Sequence, residues 1–107
     1  MSFLGNAQHG YSWVVSATLS AGTTEVIAAE AGKLIIVDKI IYSCESAGTM
    51  KLTSASTDIT NTFHFGANGG VALDELRLRC GQNEALKIVS TDSGDHSIMV
   101  RYYKING

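Results

Sequence analysis

From Tyr11 onward, short β-branched and aromatic runs alternate with clusters of Gly, Ser, Asn and Asp, the pattern of strands punctuated by turns. Tyr11–Thr18 predicts a first strand, ended by Ser20-Ala21-Gly22. Thr23–Ala28 predicts a second, with Glu30-Ala31-Gly32 as the turn behind it. A helix over Glu25–Ala31 competes there, because Ala and Glu favour helices, but so short a segment needs strong tertiary support.

Lys33–Ser43 holds the densest aliphatic content of the chain. Its order is an apolar tetrad (Leu34–Val37), two charges (Asp38-Lys39), then Ile40-Ile41-Tyr42, which does not fit one uninterrupted period of two. With Ile35 and Val37 facing the core, strict alternation places Lys39 there too. A bulge at Asp38-Lys39 moves the phase by one residue and brings Ile40 and Tyr42 inward instead. The segment predicts a long, bent, central strand.

Beyond the Glu45–Gly48 turn, Thr49–Ser54 predicts a strand with Met50 and Leu52 on one face. Ser54–Asp58 reads as loop, and Thr60–Phe65 as a strand with Phe63 and Phe65 on the face opposite His64. Asn68-Gly69-Gly70 is a turn of the kind tight hairpins demand. Val71–Arg79 reads as one plain strand carrying Leu73, Leu76 and Leu78. Cys80–Glu84 turns the chain again, Ala85–Ser90 offers Leu86 and Ile88, and Asp92–Asp95 closes another hairpin. In His96–Ile105, Ile98, Val100 and Tyr102 alternate against Met99, Arg101 and Tyr103. About eight short strands with turns at roughly 8–12-residue spacing predict an all-β chain: an antiparallel β-sandwich, a jelly roll or a small barrel. The expected organisation is an N-terminal arm over Met1–Gly10 and a single β-sandwich domain over 11–107.

Composition narrows this picture. At 107 residues the chain is expected to form one domain, and its 45% hydrophobic content supports a core without disulfides or metals. Charged residues make up only 17%, below the roughly 25% of ordinary domains, which leaves less means of solvating a surface. Part of that surface is expected to lie against another chain. Before Lys33 the only charged residues are Glu25 and Glu30, so the N-terminal part is the expected covered surface, with Phe3, Leu4, Tyr11 and Trp13 as contact candidates. Alternation lets only one of Tyr102 and Tyr103 face the core; Met99 and Tyr103 on the outer face complete the candidates. There is no proline, so sheet edges are expected to rely on bulges, on charges such as Lys39, or on a neighbouring subunit. A net charge of −2 without a basic cluster argues against nucleic acid, and no apolar run is long enough for a membrane span. Met1–Gly10 has no signal-peptide pattern, which points to folding in a cytosol.

Catalytic constellations are hard to assemble. No nucleophile elbow, zinc-protease motif, P-loop or dinucleotide fingerprint is present. A catalytic role would need His64 and His96 to converge on an aspartate, but His64 reads as an outward strand residue. Asp74-Glu75 reads as solvated surface, since neighbours on a strand point to opposite faces. Asp92–Asp95 lacks the remaining oxygen ligands and the closing Glu of a calcium loop. Cys44 and Cys80 are expected to be buried, unpaired thiols; a disulfide would need their Cα atoms within about 7 Å. The Ser/Thr-rich Ser43–Thr62 stretch is weighed as a glycan face, but Phe63 and Phe65 are better spent on the core. The expectation is no enzyme and no cofactor.

One continuous pattern resembles the small β-structured virion proteins of tailed bacteriophages. It comprises the Ala31-Gly32-Lys33 turn into Ile35-x-Val37, Thr53–Thr60, Ala67-Asn68-Gly69-Gly70-Val71, Gly81–Ile88, and a closing strand carrying Tyr102 or Tyr103. It runs from Thr23 to Ile105 as a rhythm of turns and strands without signature catalytic residues. It departs after Val71, where such proteins often carry a proline and an aromatic. The resemblance implies a jelly-roll or related β-sandwich that assembles as a homo-oligomer, commonly a trimer, on the virion. Head decoration (cement) between capsomers of the major capsid protein ranks first, after assembly in the host cytoplasm. A tail or fibre component, or a glycan-binding recognition module, is the alternative.

Overall fold

A computed structural model describes residues 12–16 and 19–107, with the side chains of 14–16 excepted. The strands are β1 (Ser12–Ser16), β2 (Gly22–Ile27), β3 (Lys33–Cys44), β4 (Gly48–Ser54), β5 (Thr57–Asp58), β6 (Phe63–Phe65), β7 (Gly70–Leu73), β8 (Leu78–Arg79), β9 (Leu86–Ser90) and β10 (His96–Asn106). They form two antiparallel sheets. The first runs β1-β10-β3, with β7 and β8 both on the far side of β3; the second runs β2-β9-β4, with β5 and β6 both along β4. Each of these broken pairs fills one strand position, so the described residues occupy eight positions in the sandwich. The chain changes sheet at every connection except β4–β5–β6 and β7–β8. Strands from the two ends of the sequence lie side by side, β1 on β10 and β2 on β9, which makes this β-sandwich a jelly roll.

The core lies between the sheets and includes Ile35, Val37, Ile40 and Tyr42 of β3, Met50 and Leu52 of β4, Leu86 and Ile88 of β9, and Ile98 and Val100 of β10. The expected phase shift in β3 is present. Arg101 pairs with Lys39 and Tyr102 with Val37, leaving Asp38 as the extra residue of a bulge. The strand is central, as expected, with β10 on one side and β7 and β8 on the other.

Val71–Arg79 is not one plain strand. β7 pairs with Ile40–Ser43 and β8 with Ile36–Val37, and the intervening residues loop out, with Glu75 and Arg77 at φ +52° and +54°. The cause lies across the sheet: the break faces the β3 bulge, and the Leu76 amide donates to the Asp38 carbonyl at 2.9 Å. Both strands slip phase at the same level, so Leu73 and Leu78 each still reach the core.

The turns at Asn68–Gly70 and Asp92–Asp95 also differ from expectation. They are corners that carry the chain from one sheet to the other, not hairpins. Asn68 sits at φ +57°, as its turn requires, and Gly48 packs so close to the β9–β10 corner that a Cβ there would lie 2.9 Å from the Asp92 Cα. A tight hairpin joins β4 to β5, with Ala55 at φ +52°, inside the stretch expected as loop. The Glu25–Ala31 helix does not form; β2 occupies its start.

Lys39 lies on the central strand and protects no edge. The edges are blunted instead by shortness, since β5, β6, β7 and β8 are two to four residues each, and by a bulge in β2 between Glu25 and Ile27.

Candidate assembly surface

β10 and β3 run antiparallel through the first sheet, and alternation turns every second side chain away from the core. Register ranks the outward residues in rows. Met99 lies beside Ile41, Arg101 beside Lys39 and Trp13, Tyr103 beside Ile36, and Ile105 beside Leu34. Trp13, Ile41 and Ile105 are the exposed large hydrophobic residues among those described, at 47%, 38% and 38%. Met99 and Tyr103 are half-buried. Leu34 and Ile36 are buried but stand outside the main core cluster. This end of β3 is therefore covered on both faces, which accounts for the unbroken Leu34–Val37 run.

Four of the charges on this face are paired within it, and Arg79, beside Ile36, is exposed. The bulge turns the Asp38 carboxylate outward, where the Arg101 guanidinium donates to Oδ2 through Nε at 2.8 Å and through its second amino group. Asp74 stands 3.7 Å from Lys39 and 3.6 Å from Arg101. The same guanidinium lies 5.7 Å from the Trp13 ring centroid, within cation–π range. Two cations and two carboxylates so neutralise one another amid apolar side chains. Asp74, expected as merely solvated, belongs to this cluster; Glu75 is exposed.

The outer face of the second sheet is different in kind. Thr23, Glu25, Lys51, Thr53, Asp58, Lys87 and Val89 occupy it by register, with an exposed Lys51–Asp58 ion pair at 2.9 Å. His64 is exposed on β6, opposite Phe63 and Phe65 as expected.

Of the contact residues expected from sequence, the structure brings Trp13, Met99 and Tyr103 onto one face, with Tyr102 packed on the core side. Phe3, Leu4 and Tyr11 lie outside the described residues, as does the Met1–Gly10 arm. Sequence reasoning missed Ile41, Ile105 and the Arg101–Asp38 pair. The signal for Ile41 was present: the phase that turns Ile40 and Tyr42 inward turns Ile41 outward.

A second concentration of polar groups lies at the β9–β10 corner. His96 Nδ1 donates to the Gly94 carbonyl at 2.8 Å, so in the neutral ring Nε2 accepts from the Ser90 hydroxyl, also at 2.8 Å. Ser90, Asp92 and His96 are all buried, and Asp92 Oδ1 accepts the Gly94 amide at 2.7 Å while Oδ2 has no hydrogen-bond partner. The arrangement holds a corner between sheets, and no substrate reaches the serine in this conformation. Burial pushes the nearby Tyr42 phenol up to about 12 and raises the thiols of Cys44 and Cys80, both of which are free. Thiols so disposed are poor nucleophiles. No group of three or more His, Cys, Asp or Glu with metal-binding placement occurs among the described residues. A groove of about 680 Å³ opens between β5–β6 and β7–β8, with Ile59, Phe63, Leu73, Leu76 and Leu78 beneath a rim of Asp58, Thr60, Asn61 and Thr62.

No family model and no curated protein matches the sequence. Similar solved structures exist. A protein of the Bacillus endospore appendages, which are disulfide-linked pili, aligns with 90% of this chain and 84% of its own at 10% identity and a TM-score of 0.49. The tobacco streak virus coat protein aligns with 88% of this chain and 86% of its own at 12% identity and a TM-score of 0.49. A viral particle protein of IBDV aligns with 87% of this chain and 35% of its own, at 12% identity and a TM-score of 0.32. These values identify no family.

Proposed function

We propose that this chain is a virion structural protein whose work is done by contact with other protein chains. Within that class we assign it to head decoration: a homo-oligomer seated between capsomers of the major capsid protein, stabilising the particle through buried area. The sequence resemblance supports the phage setting. The observation that carries the assembly role is the first sheet's outer face, where exposed Trp13, Ile41 and Ile105 surround charges already paired with one another. Such a patch on a chain with few charges is a surface for association. The mechanism requires no cofactor, and no enzymatic activity is part of this reading.

The groove between β5–β6 and β7–β8 favours the second reading, a tail-associated glycan-binding module, because its rim carries hydroxyl and amide groups over an apolar floor. One pair of measurements separates the two. Decoration predicts that the purified chain co-sediments with phage capsids and ignores polysaccharide arrays. A chain that stays in the supernatant with capsids present overturns it, and saturable glycan binding abolished by Asn61→Ala establishes the second reading in its place.

A further inference from the structure

We infer that the outer face of the β1-β10-β3-β7 sheet is where a second copy of this chain docks, face to face about a two-fold axis. The inference rests on the assembly reading above and names the partner of that surface.

Size is the first argument. The five strands of this sheet hold 34 residues, so at roughly 3.3 Å per residue and 4.8 Å per strand the face covers about 540 Å². A standard interface takes about 800 Å² from each partner, so this flat footprint supplies about two-thirds of one side before the side chains standing off the sheet are counted.

Charge is the second. Lys39 and Arg101 balance Asp38 and Asp74, so of the charges that register places on the face only Arg79, beside Ile36, is left over and a copy meets little net charge. Asp74 remains 60% exposed between two cations, placed to meet the Lys39 or Arg101 of a copy rotated by two-fold symmetry. Burying charges ordinarily costs desolvation. Here much of that cost has already been met in the single chain, because Asp38 is 9% exposed and holds Arg101. Hydrophobic side chains then interleave around the pair, as between the sheets of a sandwich. A face that meets its own copy closes after two copies, so the trimer implied by the sequence resemblance would have to use other surfaces.

The test is the oligomeric state of the full chain by sedimentation equilibrium. The expected result is a dimer that Ile41→Glu weakens about 30-fold or more, a hot-spot effect, and that Asp74→Arg weakens about tenfold through like-charge contact. Asp74 is a surface residue, so its variant keeps the test valid if Ile41→Glu fails to fold. A chain that is monomeric at millimolar concentration overturns the inference. So does a dimer indifferent to Asp74→Arg, which pairs through another surface, or dimerisation that appears only once residues 1–10 are deleted, which makes the chain's own N-terminal segment the occupant. Capsid binding reports separately: a dimer that binds no capsid sinks the decoration role and leaves this inference standing, while a capsid-binding monomer does the reverse.

Discussion

The two sheets share one core, yet their outer faces follow opposite rules. On the β2-β9-β4 sheet, inward and outward residues alternate as water demands: Met50, Leu52, Leu86 and Ile88 lie inside, and Thr23, Lys51, Asp58 and Lys87 outside. On the β1-β10-β3 sheet large apolar residues share the outward set, and four of its charges pair with one another while Arg79 faces the solvent. An antiparallel sheet with one face on the core can leave its other face to water, and the second sheet does so. The first sheet behaves like a layer awaiting a further layer.

The sharpest way to break this comparison is to truncate one outward aliphatic residue on each sheet. Ile36 points away from the core yet is 6% exposed, beside Tyr103 and Arg79 by register. Ile36→Ala should cost about 3 kcal/mol in urea denaturation, the range for a buried aliphatic truncation. Val89, half-buried on the other sheet, should cost under about 1 kcal/mol when truncated, because water already reaches it. Equal costs would mean that the two outer faces do not differ as described.

Asp38 comes next. Asp38→Asn keeps the bulge, since the backbone carbonyl that receives the Leu76 amide is untouched, and removes only the charge facing Arg101. About 2 kcal/mol is expected, as for a lost charge-assisted hydrogen bond at a largely buried acceptor. Denaturation at pH 7 reads it out. A loss below a few tenths of a kcal/mol would show that the pair is ornament on an already rigid bulge.

How much of this was legible beforehand depends on what a period of two can report. It reports faces, so the β3 bulge, the burial of Tyr102 against the outward Tyr103, and the exposure of His64 all followed from phase. The same arithmetic was available for the β7–β8 break. Leu73 and Leu78 are an odd number apart, so one regular strand cannot send both inward, just as Val37 and Ile40 cannot share a face without a bulge. What phase cannot report is which sheet the next strand joins. Asn68-Gly69-Gly70 and Asp92–Asp95 specify backbone dihedrals, and a corner between sheets uses the same dihedrals as a hairpin within one. Nor can it report the Arg101–Asp38 pair, which joins residues from distant parts of the chain only after β10 docks on β3.

The smallest expected effect sharpens the contrast from the solvent side. Lys51 and Asp58 form an ion pair on the second sheet at 2.9 Å, close to the geometry of a strong contact, but both side chains are substantially exposed. Water screens the attraction, and two long side chains lose rotamer freedom to hold it. A double-mutant cycle with Lys51→Met and Asp58→Asn should therefore return a coupling below about 0.5 kcal/mol at physiological salt, vanishing near 1 M as the Debye length falls to about 3 Å. The matching cycle on Asp38 and Arg101 should keep most of its coupling in the same salt, because the carboxylate there is largely withdrawn from water. If both couplings fall together, the charges of the first sheet are as solvated as those of the second, and the electrostatic half of the difference between the faces disappears.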